Sequence, residues 1–147
     1  MEEKNKDEMY MRKALAEAQQ AFDEGEIPIG AVVVCKDQVI ARAHNLTETL
    51  IDPTAHAEMQ AITMAANALG GKYLTDCTLY VTVEPCPMCA GALGWSQIPR
   101  IVYGCEDPKR GSREYAPRAW HPKTNVTGGT LCEECRQLMQ DFFRNRR

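Results

Sequence analysis

Long apolar runs are missing. No stretch of the chain approaches 18 consecutive apolar residues, which excludes a membrane-spanning helix. A leader-like start is missing as well: residues 1–8 are Met, Glu, Lys, Asn and Asp with no apolar core behind them, which predicts no secretory signal peptide and a cytoplasmic location. There is no internal repeat, linker or low-complexity tract. The 147 residues are therefore read as one domain, 1–147, able to bury roughly two thirds of its surface. Positive charge is not in excess either. The net charge of −3 alone argues against a general nucleic-acid binder, and no DNA partner is expected. Only three histidines are present, at 44, 56 and 121, so a search for imidazole ligands is short.

Cysteine, by contrast, is plentiful. Seven is an odd count in a chain with no sign of secretion, which makes a disulfide framework a poor reading and leaves metal ligation or buried free thiols. Charge is also unevenly spread. Residues 1–97 carry 7 Lys/Arg against 14 Asp/Glu, whereas residues 98–147 carry 10 against 6. A basic C-terminal third on an acidic body can make a local positive surface whatever the total.

Residues 7–24 predict a helix, because Met11, Leu15, Ala18 and Phe22 recur at steps of four, three and four. Asp7 is its candidate cap and Gly25 its stop. Residues 27–35, rich in valine, predict a buried strand; Lys36-Asp37 turns the chain into a second strand over 38–43, forming a hairpin. A polar loop over 44–54 leads to a helix from about Ala55 to Leu69, with Asp52 or Thr54 as cap and Gly70-Gly71 as stop. Residues 78–83 predict a strand ended by Glu84-Pro85. A short helix then runs from Cys86 or Pro87 to Trp95, its proline tolerated in the first turn. Residues 98–103 predict another strand, 104–123 a loop with room for one helical turn, and Val126 a short last strand. Thr130 and Glu133 form a capping box for a final helix striped by Leu131, Cys135, Leu138 and Phe142. Strands separated by helices predict a layered α/β domain with a mixed sheet.

The sharpest local feature is Pro85-Cys86-Pro87-Met88-Cys89, which follows a strand and opens a helix. Cys86 and Cys89, three apart, lie on one helix face, and a helix N-terminus favours their thiolates. Two thiolates suit zinc, which needs at least one more ligand from His44, His56 or His121. His56 stands at the start of the preceding helix, and in a layered α/β domain consecutive helix starts gather at one sheet edge. Three protein ligands and one open position make a catalytic rather than a closed site. Glu58, in the first turn beside His56, would then be the base and acid next to a water activated by the metal. Taken alone, each part has a plainer reading; the combination is what points to a catalytic zinc.

His56-Ala57-Glu58 with Pro85-Cys86-Pro87-Met88-Cys89 resembles the zinc-dependent cytidine and adenosine deaminase superfamily, whose signature pairs a histidine–glutamate with a proline–cysteine–cysteine motif. Within it the chain is similar to the bacterial branch that edits tRNA. The likeness spans nearly the whole chain, including Gly30-Ala31-Val32-Val33-Val34, His44-Asn45, Asp52-Pro53-Thr54-Ala55-His56, Leu79-Tyr80-Val81-Thr82, Tyr103-Gly104, Asp107-Pro108-Lys109, Glu134-Cys135 and Phe142-Phe143-Arg144. The resemblance implies an α-β-α three-layer fold around a mixed five-stranded sheet. It implies one zinc held by His56, Cys86 and Cys89, proton shuttling by Glu58, a base contact from Asn45, and orientation by backbone N–H groups near Ala57 and Cys86. The implied reaction is hydrolysis of adenosine to inosine at the wobble position: hydroxide generated at the zinc attacks C6 and ammonia leaves. The base must be flipped out of a tRNA anticodon loop. A homodimer is implied too, with Asp107 and the basic segment after it along the RNA path.

On local grounds Asn45 and Asp107 are turn residues, and only the resemblance gives them more. Lys109, Arg110, Arg113 and Arg118, with Tyr115 and Trp120 interleaved, fit phosphate contact plus base stacking. Arg144, Arg146 and Arg147 end the last helix and are further candidates for RNA. Cys132 and Cys135 read as buried or half-buried thiols, Cys35, Cys77 and Cys105 as core residues, and Trp95 as a core or dimer contact. The stretch 109–127 departs from the family pattern: it is several residues shorter, with Arg113-Glu114-Tyr115-Ala116-Pro117 where small, glycine-rich residues are usual. The competing functions are therefore a deaminase of a free base or nucleoside such as guanine or cytosine, and a zinc-stabilised binding module without catalysis.

Overall fold

The computed structural model describes residues 2–145; Arg146 and Arg147, expected near RNA, lie outside the described residues. In chain order the elements are α1 (Glu3–Asp23), β1 (Gly30–Cys35), β2 (Gln38–His44), α2 (Ala57–Leu69), β3 (Cys77–Val83), α3 (Pro87–Ser96), β4 (Arg100–Cys105), α4 (Ser112–Tyr115), β5 (Asn125–Thr127) and α5 (Cys132–Arg144). Alternation along β1 sets the layering. Ala31, Val33 and Cys35 belong to one buried cluster and Val32 and Val34 to the other, so both faces of the strand are covered. The first cluster is filled by Ala57, Ala61 and Ala65 of α2 and Leu93 of α3. The second is filled by Tyr10, Met11 and Ala14 of α1 and Cys135 of α5. The result is the expected α-β-α sandwich around a mixed five-stranded sheet, in the order β2-β1-β3-β4-β5.

Strand direction places the site. β1 is antiparallel to both β2 and β3, so β2 and β3 run the same way; β4 runs parallel to β3. The C-terminal ends of β2, β3 and β4 therefore share one sheet edge. The segment leading into α2, the turn into α3 and the loop after β4 all start there, which is where open α/β sheets bind ligands. On the other side α1 lies close against β1. A Cβ on Gly30 would overlap the Ala14 carbonyl oxygen, so only glycine allows this approach.

Several boundaries differ from the sequence reading; β4, for one, runs Arg100–Cys105 rather than 98–103. The first helix begins at Glu3 rather than Asp7, and Asp7 is no cap. Its carboxylate is buried and takes a two-pronged bond from Arg100, at 2.8 and 2.6 Å, and one from the Tyr80 hydroxyl at 2.7 Å. The first strand begins at Gly30, because Pro28 has no N–H to donate and Ile29 closes a tight turn onto the Ile27 carbonyl at 2.8 Å. The second helix starts at Ala57, since Asp52 captures the Thr54 N–H and hydroxyl in a turn at 2.8 Å each and His56 is still extended. The last helix starts at Cys132; Leu131, in a left-handed conformation, takes the cap position expected for Thr130, and no side-chain cap bond forms.

Candidate active site

The three expected ligands meet at the shared edge. His56 sits at the cap of α2, Cys86 at the cap of α3, and Cys89 in the first turn of α3. The His56 Nδ1 lies 3.6 Å from the Cys86 sulfur and 3.5 Å from the Cys89 sulfur. A tetrahedral zinc, about 2.0–2.1 Å from nitrogen and about 2.3 Å from sulfur, holds such atoms about 3.5 Å apart. The donor set fits that ion in type and spacing. Among the described residues, no fourth His, Cys, Asp or Glu joins the three, whose ligand atoms lie within 4.8 Å of one another. That leaves one corner of a tetrahedron for a small ligand.

Electrostatics follow the geometry. Cys89 donates to Cys86 and pulls the Cys86 thiol down to about 4, against the effect of burial and with help from His56. The reverse of that bond, together with burial, pushes Cys89 well above the ordinary thiol range. The Cys86 sulfur raises the His56 pKa more than burial lowers it. Glu58, in the first turn of α2, is only 3% exposed. Burial is the main force that lifts its carboxyl to about 7; its own backbone N–H opposes this and the negative Cys86 adds to it. A carboxyl poised near neutrality can both take and give a proton.

A cleft of about 490 Å³ opens beside His56 and Cys86, lined also by Pro53, Pro87, Met88, Lys109, Arg110 and Tyr115. Lys109 and Arg110 are thus brought to the site. Arg113 is turned away from that lining: its side chain pairs with Glu106 at 2.9 Å and is 62% exposed. Arg118 is exposed and does not line the cleft. Asp107 organises the loop, its Oδ1 accepting the N–H groups of Lys109 and Arg110 at 3.0 and 3.1 Å. Ala57 opens α2, so its N–H is one of the unpaired first-turn donors at the same helix end as His56. Asn45 is buried, and its amide nitrogen donates to Glu26 and Thr47. Thr47, Glu48 and His56 line an adjoining cavity, which links this loop to the ligands.

The chain matches the MafB19-like deaminase family model over residues 5–147. It is 46% identical to the tRNA-specific adenosine deaminase of Bacillus subtilis, covering 96% of this chain and 91% of that one. The enzyme of the same name from Agrobacterium fabrum is 43% identical, covering 94% of each. The chain belongs to the tRNA-specific adenosine deaminase family. A structure solved in a study of A-to-I editing by tRNA:A34 deaminases at the wobble position of transfer RNA superposes with a TM-score of 0.83 at 42% identity, over 88% of this chain and 98% of that one. As a member of this family the chain is a hydrolytic deaminase.

Other candidates fall away from the family site. Both ring nitrogens of His44 face carboxylates, Glu17 at 2.9 Å and Glu24 at 3.0 Å, so this imidazole is engaged as a paired cation. His121 accepts the Lys123 N–H, and Trp120 packs against the core rather than lining the cleft. Trp95 is no core residue, being 84% exposed. Cys135 is core, and Cys132 accepts a bond from Arg136 at 3.0 Å. Sequence reasoning missed two buried glutamates. Glu26 gathers the loop around Asn45. Glu84 accepts the N–H groups of Asp107 at 3.1 Å and Arg113 at 2.8 Å, which anchors the basic loop two residues before Cys86. For Glu84 the available signal was a lone acid after Val81-Thr82-Val83; Glu26, at the end of the acidic run Asp23-Glu24-Gly25-Glu26, gave none.

Proposed function

We propose that this chain deaminates adenosine to inosine at the wobble position of a tRNA, with a zinc ion held by His56, Cys86 and Cys89. The observation that carries the reading is the cleft itself. Its lining joins His56 and Cys86, two members of the His56, Cys86 and Cys89 cluster whose ligand atoms lie within 4.8 Å of one another, with Lys109, Arg110 and Tyr115. A pocket that serves only a free base has no use for two cations at its mouth, whereas an anticodon loop brings phosphates with the base. Zinc, when bound, supplies Lewis-acid activation of a water. Everything else comes from side chains and backbone. Glu58 takes one proton from that water and passes it to N1 of the base, then takes the remaining hydroxyl proton and passes it to the departing amine, so that ammonia leaves as C6 gains a carbonyl oxygen. Asn45 hydrogen-bonds the base, and the N–H groups at Ala57 and Cys86 orient base and water. Tyr115 offers a face on which a splayed base can stack.

Lys109 and Arg110 contact the backbone of the RNA, and Arg113 and Arg118 meet it further out; Asp107 shapes the turn that presents them. The same reading takes the location as cytoplasmic. The functional unit is a homodimer. Its support is Trp95, exposed beside a shallow depression formed by Gly91, Gly94, Ala119, Trp120, His121 and Pro122.

The deciding assay measures inosine in an anticodon stem-loop beside ammonia release from free guanine, cytosine and adenosine. Inosine formation with inert free bases is expected. Turnover of a free base with an inert stem-loop sinks the proposal, and a chain that deaminates nothing leaves a binding module. Glu58→Ala is expected to lower the rate by about 10³-fold or more, as loss of a proton shuttle does, while its zinc content matches the wild type. Loss of zinc from that variant would mean the carboxylate is misassigned.

A further inference from the structure

Glu26 joins α1 to β1, and no part of it reaches solvent. Burying a carboxylate is costly unless hydrogen bonds compensate, and here they all come from one loop. Its Oε1 accepts the Glu48 N–H at 3.1 Å and, at a long 3.4 Å, the Asn45 amide nitrogen. Its Oε2 accepts the Thr49 N–H at 2.6 Å and the Thr49 hydroxyl at 2.7 Å. Burial acts to raise its pKa, but the bonds from Thr49 and Glu48, with His44 nearby, outweigh burial and keep it ionised. A carboxylate can only accept, so it dictates which end of the Asn45 side chain is nitrogen. Thr47 receives the same nitrogen at 3.2 Å. Thr47 and Glu48 in turn line the cavity that reaches His56.

We infer that Glu26 is a positioning residue for the substrate base. It sets the orientation of the Asn45 amide and fixes residues 45–49, of which Thr47 and Glu48 line the cavity beside His56. The inference rests on the deaminase reading above, in which Asn45 meets the base. With Gln at position 26, the group facing Asn45 can be oxygen or nitrogen, the orienting asymmetry is gone, and one loop donor meets an N–H instead of an acceptor.

The test is a double-mutant cycle on the zinc-loaded full chain, comparing wild type, Glu26→Gln, Asn45→Ala and the double variant. Inosine formation in the stem-loop gives kcat and KM; zinc content and the urea midpoint are measured alongside. Glu26→Gln is expected to lower kcat/KM about tenfold, the effect of one misdirected buried hydrogen bond, with zinc content unchanged. In the Asn45→Ala background the same change is expected to cost less than about twofold, because its target is already gone. An equal tenfold loss in both backgrounds overturns the inference, since Glu26 then acts without Asn45. Thr49→Val keeps the charge and removes one bond to Oε2. It is expected to show a smaller loss with the same non-additivity, and it carries the test if Glu26→Gln does not fold; additive losses there overturn the inference equally. Wild-type protein inert on the stem-loop would instead overturn the deaminase reading, a result separable from additivity in an active enzyme.

Discussion

Asp7 shows how a single side chain can matter far from the chemistry. Its carboxylate lies between Arg100 and the Tyr80 hydroxyl, with side-chain exposures of 10% for Asp7 and 21% for Arg100. Burial acts to raise its pKa, and the bonds from Arg100 and Tyr80 reverse that, leaving the native value lowered. A depressed native pKa means stability that is fully present above the ordinary carboxylate range and lost as pH falls through the native value. Asp7→Asn is expected to cost about 2 kcal/mol, less than a fully buried pair because Glu3 still reaches Arg100 at 3.1 Å. Urea midpoints measured from pH 7 down to pH 3 check it: the wild type should lose the increment on acidification and the variant should not. The sequence invited Asp7 to be read as a helix cap because aspartate so often is one. Its true partner stands 93 residues away, a distance that no local rule spans.

Among the elements, the loop from β4 to α4 answers most directly to RNA. Glu84 fixes its backbone at Asp107 and Arg113, and Asp107 folds the turn so that Lys109 and Arg110 reach the cleft. Arg113 is already matched by Glu106. The four cations that look alike in sequence should therefore behave differently. Lys109→Ala and Arg110→Ala are each expected to weaken stem-loop binding and reduce the salt slope by about one. Arg113→Ala is expected to change that slope by less than half as much, since the pair with Glu106 already offsets its charge. Affinities measured across a salt series check both, and equal slopes for all variants would remove this loop from the RNA path. The helix and strand positions that build the site were legible because they follow periodicity and punctuation: apolar steps, Gly70 in a left-handed stop, proline in the first turn of α3. The start of α2 was less so. Asp52 spends its side chain on Thr54 two residues on, and the chain stays extended through His56 before the helix begins.

For the molecule as a whole, one observation bears on assembly. α3 carries Cys86 and Cys89 at its start and Trp95 near its end, so one short helix reaches from the cleft to an apolar patch. If the chain self-associates as proposed, Trp95→Glu places a charge in that patch and is expected to give monomer in sedimentation velocity while zinc content stays that of wild type. An unchanged sedimentation coefficient would separate this face from self-association. The clustering of His56, Cys86 and Cys89 was readable from spacing plus topology, because equal strand directions bring the ends of β2 and β3 to one edge. The glutamates that stiffen the walls were not, because a buried acid declares its role only once its donors, drawn from a distant loop, are in place.

Glu84 ties the loop that carries Lys109 and Arg110 to the start of α3: it is two residues from Cys86 in the chain and bonded to the backbone of Asp107 and Arg113. Tightening the link, the Ser112 N–H donates to the Pro85 carbonyl at 2.9 Å, and a Cβ on Gly111 would overlap the Glu84 carboxylate. A rerouted loop therefore drags on the Cys86 sulfur. Lineages that alter what this cleft accepts are expected to exchange its exposed side chains and leave the course of the peptide alone, much as a lock is re-keyed by changing pins inside an unaltered barrel.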